Sequence, residues 1–245
     1  MQIIDAKNLS KQYIISHEKD TLIRNILPYI FRRKYKEEFW ALKDVNFSLK
    51  HGESLGIIGP NGAGKSTLLN ILAGIATPTE GRVDIKGKVS SILTLGAGFH
   101  YELTGEENIF LNGSILGMTS KELKRKLDSI IDFSELGSFV DAPIQTYSTG
   151  MMLRLGFSVA VHVDFDVLLV DEILLVGDLH FQKKCIQKME EFRKDGKILV
   201  VSSQSLQLVK SLTDRILLLN RGERIGYGDP DAVIEQYQNL RQDRG

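Results

Sequence analysis

With 245 residues, 42% of them hydrophobic and 25% charged, the chain has the makings of a soluble globular protein with one substantial core. Its 31 Lys and Arg balance 31 Asp and Glu, which argues against a dedicated nucleic-acid binder. The single cysteine, Cys185, excludes an intrachain disulfide framework, and without paired ligand spacing a structural zinc site is not expected either. The N-terminal MQIIDAKNLSKQY does not read as a signal peptide, and no run of about 18 apolar residues is present to span a bilayer.

In chain order, IIDAKNLSKQYII shows mixed alternation, and ALKDVNFSLKHGESLGIIG alternates and then turns continuously apolar. That change predicts a peripheral antiparallel layer passing into a buried central strand. Between them, TLIRNILPYIFRRKYKEEFW puts Leu22, Ile23, Ile26, Leu27, Ile30 and Phe31 on a helical face interrupted by Pro28, beside Arg32, Arg33, Lys34 and Lys36. An apolar face next to a basic cluster suits an anionic membrane surface or a membrane-embedded partner, so a membrane-proximal helix is expected within the insertion 14–38. GPNGAGKSTLLNILAG reads as a turn into a helix, and PTEGRVDIKGKVSSIL as a strand pair. A helical segment is expected over about 96–165, then a buried strand in FDVLLVDEI and a helix in LHFQKKCIQKMEEFRKDG stopped by Gly196. KILVVSS and RILLLNRGERIGYG supply further strands, and DPDAVIEQYQNL the last helix. Alternating strands and helices predict an α/β fold with a mainly parallel sheet, in a single domain over 1–245.

Three stretches carry chemistry. Gly59 to Thr67, GPNGAGKST, matches the phosphate-binding loop G-x-x-x-x-G-K-[ST], following an apolar strand and opening a helix as the motif requires. Gly59, Pro60, Asn61, Gly62, Ala63 and Gly64 would form the turn whose amides face phosphate oxygens. Lys65 would reach the β and γ phosphates, Ser66 would ligate Mg²⁺, and Thr67 would add a phosphate contact. VLLVDE ends a buried strand on two acids: Asp171 suits Mg²⁺ or its water, and Glu172 suits polarising an attacking water. Together they indicate nucleotide hydrolysis. YSTGMMLRLGFS, from Tyr147, places Ser148, Thr149, Gly150 and Met151 at a polar turn opening onto an apolar helix, which by itself reads equally as a plain helix cap or as an anion site.

GPNGAGKST, YSTGM, VLLVDE and the downstream VGD stand in the order found in ATP-binding-cassette transporter ATPases, which the chain resembles over almost its whole length. The resemblance implies a P-loop fold with a peripheral antiparallel layer and a helical subdomain. It also implies a homodimer sandwiching two ATP head to tail, with Tyr147, Ser148, Thr149, Gly150 and Met151 facing the other subunit's ATP. Gly177 and Asp178 would lie at the dimer interface, and Tyr13 would stack on adenine. YSTGM, DEILLVGD and LGAGFHYELTGEENIFLNG, residues 95 to 113, are similar to stretches of O-antigen and teichoic-acid exporters. This implies two copies of a polytopic permease, a lipid-linked glycan cargo, no nucleic acid, and a peripheral place on the cytoplasmic face of a bacterial membrane. No C-terminal carbohydrate-binding domain is expected after RQDRG. Capsular polysaccharide or another lipid-linked cargo is the nearest alternative; a non-transport or weakly hydrolysing nucleotide switch is another.

Two positions depart from the family pattern. Leu95 or Gly96 falls near the place of a usual glutamine. Ser203, in VVSSQS, stands where the switch histidine is expected, with Gln204 beside it. Serine has a shorter reach than imidazole and does not titrate near neutrality, so slower turnover or altered coupling is expected.

Overall fold

The computed structural model describes residues 2–17, 35–93, 95–171 and 177–242. Two sheets form its frame. In the first, β1 (Gln2–His17) pairs antiparallel with β2 (Tyr35–Lys50) and, on its other side, with β4 (Glu80–Ile85). The mixed alternation of β1 has a local cause: Asn8 takes a positive φ of 51°, and the register with β2 shifts between Ala6 and Leu9. Val45, Phe47 and Leu49 of β2 are buried at the period of two that a one-sided sheet dictates.

The second sheet contains β3 (Leu55–Ile58), β5 (Val89–Ile92), β6 (Val167–Asp171), β7 (Ile198–Ser202), β8 (Arg215–Asn220) and β9 (Glu223–Gly228), in the order β5-β6-β7-β3-β8-β9. All neighbours are parallel except the terminal β8–β9 pair. Strands β3, β6 and β7 are almost wholly buried, as their continuous apolar runs predict for strands covered on both faces. On one face, α1 (Lys65–Leu72) and the antiparallel sheet share a core with Leu55, Ile57, Leu169 and Val200. On the other, α5 (Leu179–Lys194) supplies Phe181, Cys185 and Met189 against Leu168, Val170, Leu199 and Val201. Helices α6 (Leu206–Leu212) and α7 (Pro230–Gln242) bury Val209, Val233 and Tyr237 against Ile58, Ile216 and Leu218.

A third layer consists of α2 (Gly105–Ile115), α3 (Ser120–Ser134) and α4 (Thr149–Ala160), with short 3-10 turns at Gly137–Asp141 and Ile144–Thr146. Thr104 and Thr119 start α2 and α3 through reciprocal capping with Glu107 and Glu122. The α/β fold read from the sequence is the one observed. Two local expectations change. Strands β4 and β5 do not pair with each other: the chain crosses between sheets at Gly87, and Lys88 N–H is caught by the Asp166 carboxylate at 2.8 Å. The ends of the 14–38 insertion are strand rather than helix, Ile14 opposing Glu38 and Ile15 opposing Glu37 across the hairpin. Leu22, Ile23, Ile26, Leu27, Pro28, Ile30, Phe31, Arg32, Arg33 and Lys34 lie outside the described residues. Among the described residues no helix is long and apolar enough to cross a membrane.

Gly56 marks where sheet and helix touch most closely: a Cβ there would stand 2.2 Å from Val209 Cγ1 and 3.0 Å from Thr213 Oγ1. Overpacking a filled core typically costs about 1–3 kcal/mol. Gly56→Ala is therefore expected to destabilise by about that amount in urea unfolding, and the pair G56A/V209A to cost less than the sum of the two single changes.

Candidate active site

Strand β3 delivers the phosphate loop at the edge where the parallel strands end. Gly64, the residue before α1, has φ +104°, and a Cβ on it would lie 2.5 Å from the Ala41 carbonyl oxygen. Only glycine fits there. Helix α1 then presents its free first-turn amides with no acid in that turn to oppose an anion. Lys65 is nearly buried, and its ammonium donates to the carbonyls of Gly59 at 2.9 Å and Pro60 at 3.1 Å. Two of its three N–H groups thus hold the cation against the loop, leaving one for a phosphate oxygen. Asn61, Gly62, Ala63, Gly64, Lys65, Ser66 and Thr67, with Asp171, surround a cavity of about 250 Å³.

Asp171 ends β6, and Ser66 Oγ donates to its Oδ2 at 3.1 Å across 105 positions of sequence. A hydroxyl and a carboxylate side by side form a hard-oxygen donor set, which fits Mg²⁺. Glu172 lies outside the described residues. Ser203 follows β7 directly. It is nearly buried, its Oγ accepts from Ser205 N–H at 3.1 Å, and with Gln204 it lines a cavity of about 460 Å³ together with Gly59, Pro60 and Asn61. Sequence-distant Ser203 and Asp171 are thus both gathered at the phosphate loop.

The turn at Ser148 has a different construction. Ser148 caps α4, its Oγ accepting from Met151 N–H at 3.2 Å, and a Cβ on Gly150 would meet nothing closer than that oxygen, 3.8 Å away. The N-terminus of α4 is therefore open above Gly150. Tyr147 turns away: its ring is buried in the helical layer and its hydroxyl donates to the Phe139 carbonyl at 2.6 Å. It supports the turn from below and does not face outward with its neighbours. Gly177 and Asp178 sit at the start of α5, which Asp178 caps by accepting from Phe181 N–H at 3.0 Å. That bond, ahead of the nearby Arg154 charge, holds the Asp178 carboxyl below the ordinary aspartate range. Tyr13 opposes Phe39 across the β1–β2 hairpin, with Lys11 Nζ 5.1 Å from its ring centroid, and lines neither cavity.

A family model described as ABC transporter matches residues 42–174, spanning the phosphate loop, the Ser148 turn and Asp171. The chain belongs to the ABC transporter family. Within it, the chain is 40% identical over 239 residues to the O-antigen export system ATP-binding protein of Klebsiella pneumoniae, covering 96% of this chain and 97% of that one. It is 47% identical over 209 residues to the teichoic acids export ATP-binding protein of Lactococcus lactis, covering 85% of this chain and 45% of that one. A dimeric structure of a bacterial ABC transporter cassette superposes with a TM-score of 0.72 at 25% identity, over 93% of this chain and 98% of the other. This is an ATP-binding ABC transporter subunit of the kind that serves surface-polysaccharide exporters, and an ATPase.

Two residues of this ABC ATPase escaped the sequence reading. Arg154 is the one charged side chain in the otherwise apolar run of α4, a signal in itself; it reaches Asp178. Ser202 ends β7 in register with Ile57 on one side and Asp171 on the other. It continues the period-two set Ile198, Val200 that faces α1, and among the described residues its buried hydroxyl has no hydrogen-bond partner. An unpaired buried hydroxyl costs about 1–3 kcal/mol. Ser202→Ala is accordingly expected to raise unfolding free energy by about 1 kcal/mol in urea titration. A loss of similar size would show the hydroxyl to be paired.

Proposed function

We propose that this chain is the ATP-hydrolysing motor of an exporter that moves a lipid-linked surface polysaccharide, of the O-antigen or teichoic-acid class, across the bacterial cytoplasmic membrane. The observation that carries the reading is the 40% identity to the O-antigen export protein over nearly the full length of both chains. An undecaprenyl-diphosphate-linked glycan is the expected cargo, with two polytopic permease subunits as partners and the cytoplasmic face as the place of work.

In this reading, two copies close head to tail on two ATP molecules. The amides of Gly62, Gly64 and the start of α1 bind β and γ phosphate oxygens, with Lys65 completing the cradle and Thr67 adding a contact. Ser66 and Asp171 would hold Mg²⁺, which when bound neutralises phosphate charge. Glu172 takes a proton from the attacking water. Across the interface, Ser148, Thr149, Gly150 and Met151 meet the γ phosphate of the other copy's ATP, and Tyr147 carries them. Gly177 and Asp178 align the two sites, and Tyr13 stacks on adenine. At the switch position, Ser203 and Gln204 border the loop at Pro60 and Asn61, where the Gln204 amide supplies a donor without a titratable group.

Closing movements pass to the permease through the helical layer and the loop after β5. That loop is firmly held: the buried Asn108 amide donates to the carbonyls of His100 at 3.0 Å and Thr104 at 2.8 Å and accepts from His100 N–H, while Asn112 donates to Ala97 at 2.9 Å. A slow nucleotide-driven switch is the second reading, favoured by Ser203 alone.

ATP turnover by the purified chain with its permease tests the motor reading. Glu172→Gln is expected to cut turnover by about 10²–10⁴-fold, as loss of a general base does. Ser203→His is expected to raise it; a native chain that binds ATP without turnover, alongside a hydrolysing S203H variant, would establish the switch instead. A separate experiment addresses the trans contact. Aspartate caps helices about as well as serine, so Ser148→Asp is expected to keep the melting temperature while abolishing ATP-driven dimerisation through repulsion of the γ phosphate.

A further inference from the structure

Arg154 stands six residues into α4, about 9 Å along the helix from Ser148, and its side chain is only 18% exposed. Its guanidinium divides between two carboxylates from separate elements. One nitrogen donates to Asp178 Oδ2 at the start of α5; another lies 3.5 Å from Glu135 Oε2 at the end of α3. The guanidinium carbon stands 5.0 Å from the centroid of the fully buried Phe181 ring, which fixes its plane from below. Both carboxylates are tied down further. Asp178 uses its other oxygen to cap α5, and Glu135, in a left-handed conformation at φ 57°, accepts from Lys184 at 2.8 Å and lies 3.6 Å from His180 Nδ1. A Cβ on Gly177 would come 3.3 Å from Arg154 Nε, so glycine keeps the passage clear. Planar, forked and always charged, arginine can bridge two carboxylates that a lysine point charge would have to choose between.

We infer that Arg154 is a positioning residue that locks the Ser148–Met151 turn and the Gly177–Asp178 loop of one copy into a single rigid surface for the partner's nucleotide site. This rests on the head-to-tail dimer proposed above. Both loops present themselves to the other copy in that reading, and each must arrive in register with the other. One stacked guanidinium, bonded to the start of α5 and mounted on α4, sets their spacing before the second copy arrives, so closure does not pay for ordering them. Arg154 touches no nucleotide in its own copy, whose phosphate loop lies on β3 and α1. Its loss should spare nucleotide binding by the single chain and weaken dimer closure.

The test uses the full chain in a Glu172→Gln background, which holds ATP unhydrolysed. Fluorescent-ATP affinity of the monomer, melting temperature and ATP-dependent dimerisation by analytical ultracentrifugation are measured for the parent and for Arg154→Ala, Arg154→Lys and Asp178→Asn. R154A is expected to keep monomer ATP affinity within about twofold while weakening dimerisation about tenfold or more, the size expected for coupled neighbours. R154K should fall between R154A and the parent. D178N retains an amide oxygen for the cap but loses its charge, and should weaken dimerisation in the same direction; combined with R154A it should add little. A parent that dimerises with ATP while R154A and D178N dimerise equally well overturns the inference and leaves the dimer standing. A parent that does not dimerise with ATP overturns both.

Discussion

The parallel register of β6, β7 and β3 is the constraint on which the nucleotide end of this molecule depends. Asp171 lies beside Ser202, and Ser202 beside Ile57, so three chain segments more than a hundred residues apart at their extremes reach one edge together. Parallel strands leave a sheet in the same direction, and the crevice beyond their carboxyl ends is where open α/β sheets bind ligands. Once that register is set, Ser66 has only to rise one residue into α1 to meet the Asp171 carboxylate. Ser203 follows from the same alignment, since one step beyond β7 brings it to the wall of the cavity that Pro60 and Asn61 share. A slip of one residue in β7 would turn Val201 toward α1 and put a valine where a buried hydroxyl now stands.

The helical layer obeys a second constraint, the closeness with which α4 meets the turn after β5. Gly156 permits it: a Cβ there would stand 2.9 Å from the Gly96 amide nitrogen. Asn108 and Asn112 hold the same loop from α2. The turn at residues 95–98, where the family pattern would place glutamine, is thus fastened between two helices of the third layer. Its backbone, not a long polar side chain, makes the contact with α4. A displacement of that layer would carry the loop with it, which is the mechanical property a link to a membrane partner needs.

Most of this frame could be read from the chain before any coordinates. Continuous apolar runs identified the buried strands β3, β6 and β7, and the glycine-rich loop announced its own helix because each glycine in it answers a local backbone demand. What escaped the reading depends on distant partners. Nothing around Arg154 says that Glu135 and Asp178, 19 and 24 positions away, will converge on it. Ser202 looks like the polar end of a strand until the register places it between Ile57 and Asp171. Tyr147 misled for a related reason: it belongs by sequence to a polar turn, yet its ring is claimed by the core around Ile109 and Leu155 and its hydroxyl by Phe139. The β4–β5 hairpin failed because Asp166, nearly eighty residues later, captures Lys88 and draws the chain into the other sheet.

In the proposed head-to-tail dimer, Ser148 would be a helix cap and a phosphate ligand at once. As a cap it spends an acceptor lone pair on Met151 N–H. Its hydroxyl hydrogen remains, and a hydroxyl that accepts one bond is still free to donate another. A phosphate oxygen offers only acceptors, so the two demands fall on different parts of the same group. The cap also orders the first turn of α4, pointing its unpaired amides outward beside Gly150, where nothing obstructs them. Capping the helix would therefore prepare the proposed anion site. Aspartate could make the cap equally well but would put a negative charge against the ligand, and alanine would lose both bonds. Serine satisfies both demands with neither penalty, which is a physical reason for its place at the head of this helix.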